Sequence, residues 1–208
     1  DNGNFPELSN ALLGLRKDPS ARVRFQLALS LGALNVPGEV SALIDLLQAD
    51  SGDRWIKTAT VAALSTQSTN AFSELKKRGV TPGRILEFAA DLQGNGSGLK
   101  DCSPEILDYL KKVAKELSGT DSLSSAKRLE ATRLLAKLDP SAASKPLMNL
   151  LGEQNESLRH GALQELISLN PDGLAKTILE LWKDLSPRSR DEVLAFLLKG
   201  GSKSGLLL

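Results

Sequence analysis

The chain contains one histidine, His160, and one cysteine, Cys102, and these bound the chemistry open to it. Any histidine-based dyad or metal site must include His160. It follows Arg159 in the first turn of an expected helix, where the positive end of the helix dipole disfavours an imidazolium. It therefore reads as a surface or groove histidine. Cys102 stands between Asp101 and Ser103-Pro104, near a helix start that can lower a thiol pKa, but no recognisable base or resolving cysteine accompanies it. A single cysteine also excludes an internal disulfide, a haem-attachment pair and a cysteine-rich zinc site.

The glycine stretch Gly94-Asn95-Gly96-Ser97-Gly98 has the composition of a phosphate loop, but that mechanism needs a strand before it and a helix after it. No strand pattern precedes it, so it reads as a flexible loop. Asp50 with Asp53, Glu105 with Asp108, and Asp191 with Glu192 fall in turns or on charged faces, where water keeps carboxylates ionised; they read as caps and solvated faces. Trp55 and Trp182 read as packing residues between stacked helices. The sequence points to no catalytic residue, no metal site and no cofactor, and the segment itself is expected not to be an enzyme.

Basic residues near the starts of the longer helices form a more suggestive set: Arg22, Arg24, Arg54, Lys57, Arg159 and Arg188, with His160 beside Arg159. In stacked helical repeats equivalent positions line up. Arg22, Arg24, Arg54, Lys57, Arg159 and His160 would then form a partner-binding ladder. The competing reading is that each basic residue pairs with a turn acid of the adjacent repeat, such as Asp18, Asp50, Asp53 or Glu156. Lys76-Lys77-Arg78 suits the negative end of a helix.

The elements that must position these residues are helices. Among 208 residues, 41 are Leu and 21 Ala, against 13 Val plus Ile, a bias toward good helix formers and away from strand formers. Six of the nine prolines follow Asp, Thr, Ser or Asn, in Asp18-Pro19, Thr81-Pro82, Ser103-Pro104, Asp139-Pro140, Asn170-Pro171 and Ser186-Pro187. Such pairs mark one helix ending and another starting. Apolar residues of helical period between them predict about a dozen helices: near 7–16, 20–34, 39–49, 54–66, 71–78, 84–93, 104–117, 122–138, 142–151, 156–169, 173–184 and 188–199.

A repeat runs through them. Val23-Arg24 recurs 33 residues on as Ile56-Lys57, with Leu31 and Leu64 each eight residues further, and the same frame fits Leu158-Arg159 with Leu166. Residues 67–138 depart from it, since no clean turn motif precedes the helical face of Ala126, Leu129, Leu134 and Leu138. The expected fold is all-α: an α-α superhelix, a HEAT/ARM-like solenoid of five to six helical hairpins with irregular middle repeats. One domain over 1–208 is expected, with a flexible loop near 93–102, because half-length stacks would leave end faces unburied.

The stretch from Asp18-Pro19-Ser20-Ala21-Arg22-Val23-Arg24-Phe25 to Gly32 resembles HEAT-like repeats. More narrowly it resembles the helical segment of planctomycete- and verrucomicrobial-type multidomain putative membrane-bound dehydrogenases. Asp53-Arg54-Trp55-Ile56-Lys57 and Leu181-Trp182-Lys183-Asp184-Leu185-Ser186-Pro187-Arg188-Ser189-Arg190 are similar to it too. That resemblance implies a spacer between a dehydrogenase-like propeller and a c-type cytochrome module, in the periplasm or at the cell surface. The chain has no Cys-x-x-Cys-His, so the haem would belong elsewhere in the parent. The chain begins at Asp1 and has no targeting segment, which reads as a mature form or a piece of a larger protein.

The function expected from all this is a protein-interaction, scaffold or spacer module whose partner is another protein or the flanking domains. Lys plus Arg total 26 and Asp plus Glu 25, and neither half carries a charge excess, which disfavours nucleic acid. No apolar run approaches membrane-spanning length, which disfavours direct membrane insertion. The alternative is an enzyme on the same fold, DNA glycosylase-like or bilin lyase-like. An aromatic content of 4% and a net charge of +1 weaken the glycosylase version.

Overall fold

A proline in the first turn of a helix forfeits no helical hydrogen bond, and a short polar side chain before it can accept from amides that would otherwise be orphaned. The computed structural model, which describes residues 6–34, 36–94, 99–120 and 122–198, starts helices on this rule. Helices begin at Pro82, Pro104, Pro140 and Pro187. Before three of them the side chains of Ser103, Asp139 and Ser186 accept from the N–H groups of Ile106, Ala142 and Ser189.

Twelve α-helices and two 3-10 turns account for the regular structure among the described residues, with no strand. They are α1 (Pro6–Gly14), α2 (Ala21–Leu34), α3 (Glu39–Ala49), α4 (Arg54–Ser65), α5 (Ser68–Lys77), α6 (Pro82–Gly94), α7 (Pro104–Ser118), α8 (Ser125–Leu138), α9 (Pro140–Leu150), α10 (Glu156–Leu169), α11 (Leu174–Glu180) and α12 (Pro187–Leu198). The protein is all-helical. No helix among the described residues is long and apolar enough to cross a membrane.

Three local differences from the sequence reading have physical reasons. Ser124 accepts from the Lys127 N–H, so α8 has a cap in the stretch that showed no turn motif, and it starts at Ser125. Asn170 does not start the next helix: it ends α10 in the left-handed region at φ 45°, a role Asn tolerates, and Gly173 at φ 80° precedes α11. The helix expected over 173–184 breaks into α11 and a 3-10 turn, Trp182–Asp184. Arg190 donates to the carbonyls of Trp182 and Lys183 at 3.1 and 3.0 Å, satisfying groups that helix continuation would otherwise have bonded.

The chain folds as two compact units, residues 1–108 and 109–208. In the first unit α2 packs on α4 and α4 on α6, while α3 packs on α4 and α5. Helices α2 to α5 thus each meet a sequence neighbour and the next helix but one. The repeat frame explains the core: Leu31 and Leu64 are fully buried, Ala28 and Val61 lie equally deep three residues earlier, and Ile56 sits beneath them. Phe72 of α5 meets Phe88 of α6 edge to face, with ring centroids 5.0 Å apart. Each such buried side chain contributes about 1.5–3 kcal/mol.

In the second unit α8, α9 and α10 pack on one another and α10 packs on α12. Leu163 and Leu166, in the same repeat frame, are fully buried there. Of the loop expected near 93–102, residues 95–98 lie outside the described ones. Leu99 and Cys102 are buried, and the Cys102 N–H donates to the Leu99 carbonyl at 3.1 Å.

Candidate functional site

The turn between α5 and α6 forms one wall of a cleft in the first unit. Its shape follows from Gly79 at φ 65°, a conformation that glycine adopts at no steric cost. The Gly79 N–H donates to the Lys76 carbonyl at 3.0 Å and the Val80 N–H to the Leu75 carbonyl at 3.1 Å, closing α5 as a Schellman motif. Val80 and Thr81 are thereby turned over the end of α5 and Pro82 opens α6. Leu47 and Gln48 at the end of α3, with Ser51 beyond it, form the opposite wall.

This cleft encloses about 640 Å³. Leu75 and Phe88, both buried, supply its apolar floor, while Lys57 of α4 and Arg84, Glu87 and Asp91 of α6 supply charge around it. The Lys57 Nζ lies 2.8 Å from the Asp91 Oδ2, and both side chains keep part of their surface in water. Positive and negative groups at the rim with an apolar floor suit a segment of polypeptide carrying one apolar side chain between polar neighbours.

The residues proposed as a ladder have different fates. Arg24 and Lys57, equivalent in the repeat, both form ion pairs: Arg24 with Asp50 at 2.7 Å and Lys57 with Asp91. Arg24 also donates to the Asp18 carbonyl at 2.6 Å, so it holds the start of α2 to the end of α3. Arg22 and Arg54 are exposed in the first turns of α2 and α4. Arg159 and His160 belong to α10 in the second unit. His160 Nδ1 lies 3.5 Å from a Glu192 carboxylate oxygen of α12, and Glu192 is also within 3.8 Å of Arg188. Among the described residues Asp53 forms no ion pair with a neighbouring repeat's cation of the kind expected of a turn acid. It caps α4, accepting from the N–H groups of Trp55 and Ile56 at 2.9 and 3.0 Å.

One expectation about an individual residue is corrected. Trp55 is not packed between helices: it is 74% exposed. At the first turn of α4 it points away from the face that carries Ile56 into the core. Cys102 sits at a helix start, yet its thiol is pushed up rather than down. Burial does this, opposed by the hydrogen bond between the sulfur and the Ser68 hydroxyl at 3.3 Å and helped by the charge of Asp101. Trp182 is half-buried beneath Arg190, whose guanidinium carbon lies 5.8 Å from the ring centroid.

Sequence reasoning missed Glu39, a carboxylate only 5% exposed. A glutamate in the first turn of a helix ordinarily reads as an exposed partner of the dipole, and nothing local distinguishes this one. Among the described residues no group of three or more His, Cys, Asp and Glu side chains is placed to hold a metal ion.

No protein-family profile and no curated protein matches this chain. Among solved structures, human deoxyhypusine hydroxylase in complex with glycerol is similar at 17% identity, over 95% of this chain and 91% of that one, with a TM-score of 0.35. The expectation that this segment is not an enzyme does not stand, since it rested only on the absence of a recognisable catalytic set in the sequence. At this TM-score the likeness transfers neither a reaction nor a site residue.

Proposed function

We propose that this chain is a helical-repeat interaction module, its helical pairs forming a HEAT/ARM-like solenoid, which binds an extended segment of a protein partner in the Lys57–Asp91 cleft. The observation that carries this is the cleft itself: about 640 Å³, floored by Leu75 and Phe88 and rimmed by both signs of charge. The partner is drawn from the modules flanking the chain in its parent protein, a propeller dehydrogenase or a c-type cytochrome. That part, with the periplasmic or cell-surface setting, rests on the resemblance of residues 18–32.

The test is co-purification of the chain with the segments encoded on either side of it in the parent gene. Two variants at exposed lining positions accompany it, Arg84→Glu and Ser51→Trp. Retention of one flanking segment by the unaltered chain, and its loss in both variants, is the expected result. Retention that survives both variants overturns the assignment to this cleft, and no retention by the unaltered chain overturns the spacer reading.

An enzyme on the same architecture is the second reading. The convergence of Lys57, Arg84, Glu87 and Asp91 on one cleft favours it, because those are side chains able to bind and polarise a substrate.

A further inference from the structure

Glu39 is the first residue of α3, and both of its carboxylate oxygens are engaged by neutral donors. Oε2 accepts from the Val36 N–H at 2.8 Å, and Oε1 accepts from the Gln67 side-chain amide at the start of α5. Among the described residues no lysine or arginine forms an ion pair with it. Burial pushes its carboxyl above the ordinary range, against the opposing effect of the Val36 N–H. A buried carboxylate without a countercharge is costly, and two neutral hydrogen bonds offset only part of that cost.

Glu39 also lines a second cleft of the first unit, distinct from the one above and enclosing about 590 Å³. Val36, Pro37 and Val40 give it an apolar side, and Asn70 and Ser73 of α5 give it a polar one. Two other charged groups share it. Glu74 is held by Arg78 at 2.8 Å, and Lys77, exposed at the rim, makes no ion pair with Glu39. The cleft is therefore apolar along its length and anionic at its inner end, with hydrogen-bond acceptors beside the charge. A lysine or arginine side chain has the complementary form, an aliphatic stem bearing a cationic head.

We propose that the Glu39 cleft receives the ammonium or guanidinium group of a partner's basic side chain, which supplies the countercharge that Glu39 lacks within its own fold. The stem lies along Val36, Pro37 and Val40. The head reaches the lone pairs of Glu39 left free by Val36 and Gln67, with Asn70 and Ser73 accepting the remaining protons.

The experiment is an NMR titration of the full chain with Nα-acetyl-lysine amide, Nα-acetyl-arginine amide and the uncharged Nα-acetyl-norleucine amide, at constant ionic strength and pH 7. Saturable shifts of amides at 36–41 and 67–77 are expected with one or both cationic probes, and binding about tenfold or more weaker with norleucine. The two cationic arms separate ammonium from guanidinium recognition. Glu39→Gln keeps the side-chain shape and is expected to weaken cation binding by about tenfold or more. Asn70→Trp, at an exposed position, fills the cleft with Glu39 intact and is expected to abolish binding. Norleucine binding as tightly as the cations, or both variants binding like the unaltered chain, overturns the proposal.

Discussion

A methyl group added to Gly32 of α2 would meet the Cβ of Ala63 on α4 at 2.7 Å and its Cα at 3.1 Å. The two helices approach so closely because neither brings bulk to that point. Alanine favours a helix over glycine by about 1 kcal/mol, but overpacking against backbone costs about 1–3 kcal/mol, and the second effect wins here because Cα cannot move aside. Gly32→Ala is expected to lower the unfolding free energy by about 1–2 kcal/mol in denaturant titration. Gly83→Ala in α6, where an added methyl meets nothing within 4 Å, is expected to cost nothing. Equal effects at the two sites would refute the close-approach explanation.

Thr60 occupies the position in α4 that Leu27 fills in α2 and Ala162 in α10, and it is as deeply buried as they are. Among the described residues its hydroxyl has no hydrogen-bond partner. A buried donor left unmatched costs about 1–3 kcal/mol. Thr60→Val keeps the branched shape and removes the hydroxyl, so a gain of about 1 kcal/mol in unfolding free energy is expected. A lower unfolding midpoint in calorimetry would count against it.

For Glu39 the folded carboxyl titrates above its ordinary value of 4.5, so folding favours the protonated form. The stability tied to that form is fully present below the ordinary value and is lost as pH rises through the raised one. Glu39→Gln should therefore melt higher than the unaltered protein at pH 7, with the two midpoints converging as pH falls below the ordinary value. A difference that does not change with pH would mean that burial of the charge is not its cause.

Cys102 offers a simple probe of the first unit. Its thiol is buried and pushed up, so little thiolate is available to a thiol reagent in the native state. At pH 8 the native protein should label far more slowly than the same protein in guanidinium chloride, with labelling limited by opening of the fold. Native labelling at the unfolded rate would show that the Leu99–Cys102 turn does not shield the sulfur.

What could be read before folding and what could not divide along a physical line. Helix starts at Thr81-Pro82, Ser103-Pro104, Asp139-Pro140 and Ser186-Pro187 were legible because a cap and a missing N–H act within three or four residues. The core faces of α2, α4 and α10 were legible because a 3.6-residue period shows which side of a helix is apolar. That local chemistry identified Leu31, Leu64 and Leu166 as core residues.

Neither kind of signal reports which surfaces lie opposite one another. Trp55 is apolar and read as packed, yet at the first turn of α4 its side chain stays exposed. Glu39 stands at a helix start, where a charged side chain is ordinarily solvated, but Gln67, 28 residues away, closes over it. The Lys57–Asp91 cleft likewise exists only because α6 lies beside α4, with the Gly79 turn between α5 and α6 as a wall. Burial and ion pairing between distant residues are set by how helices stack, and stacking is decided by the sum of many side-chain contacts rather than by any one stretch of sequence.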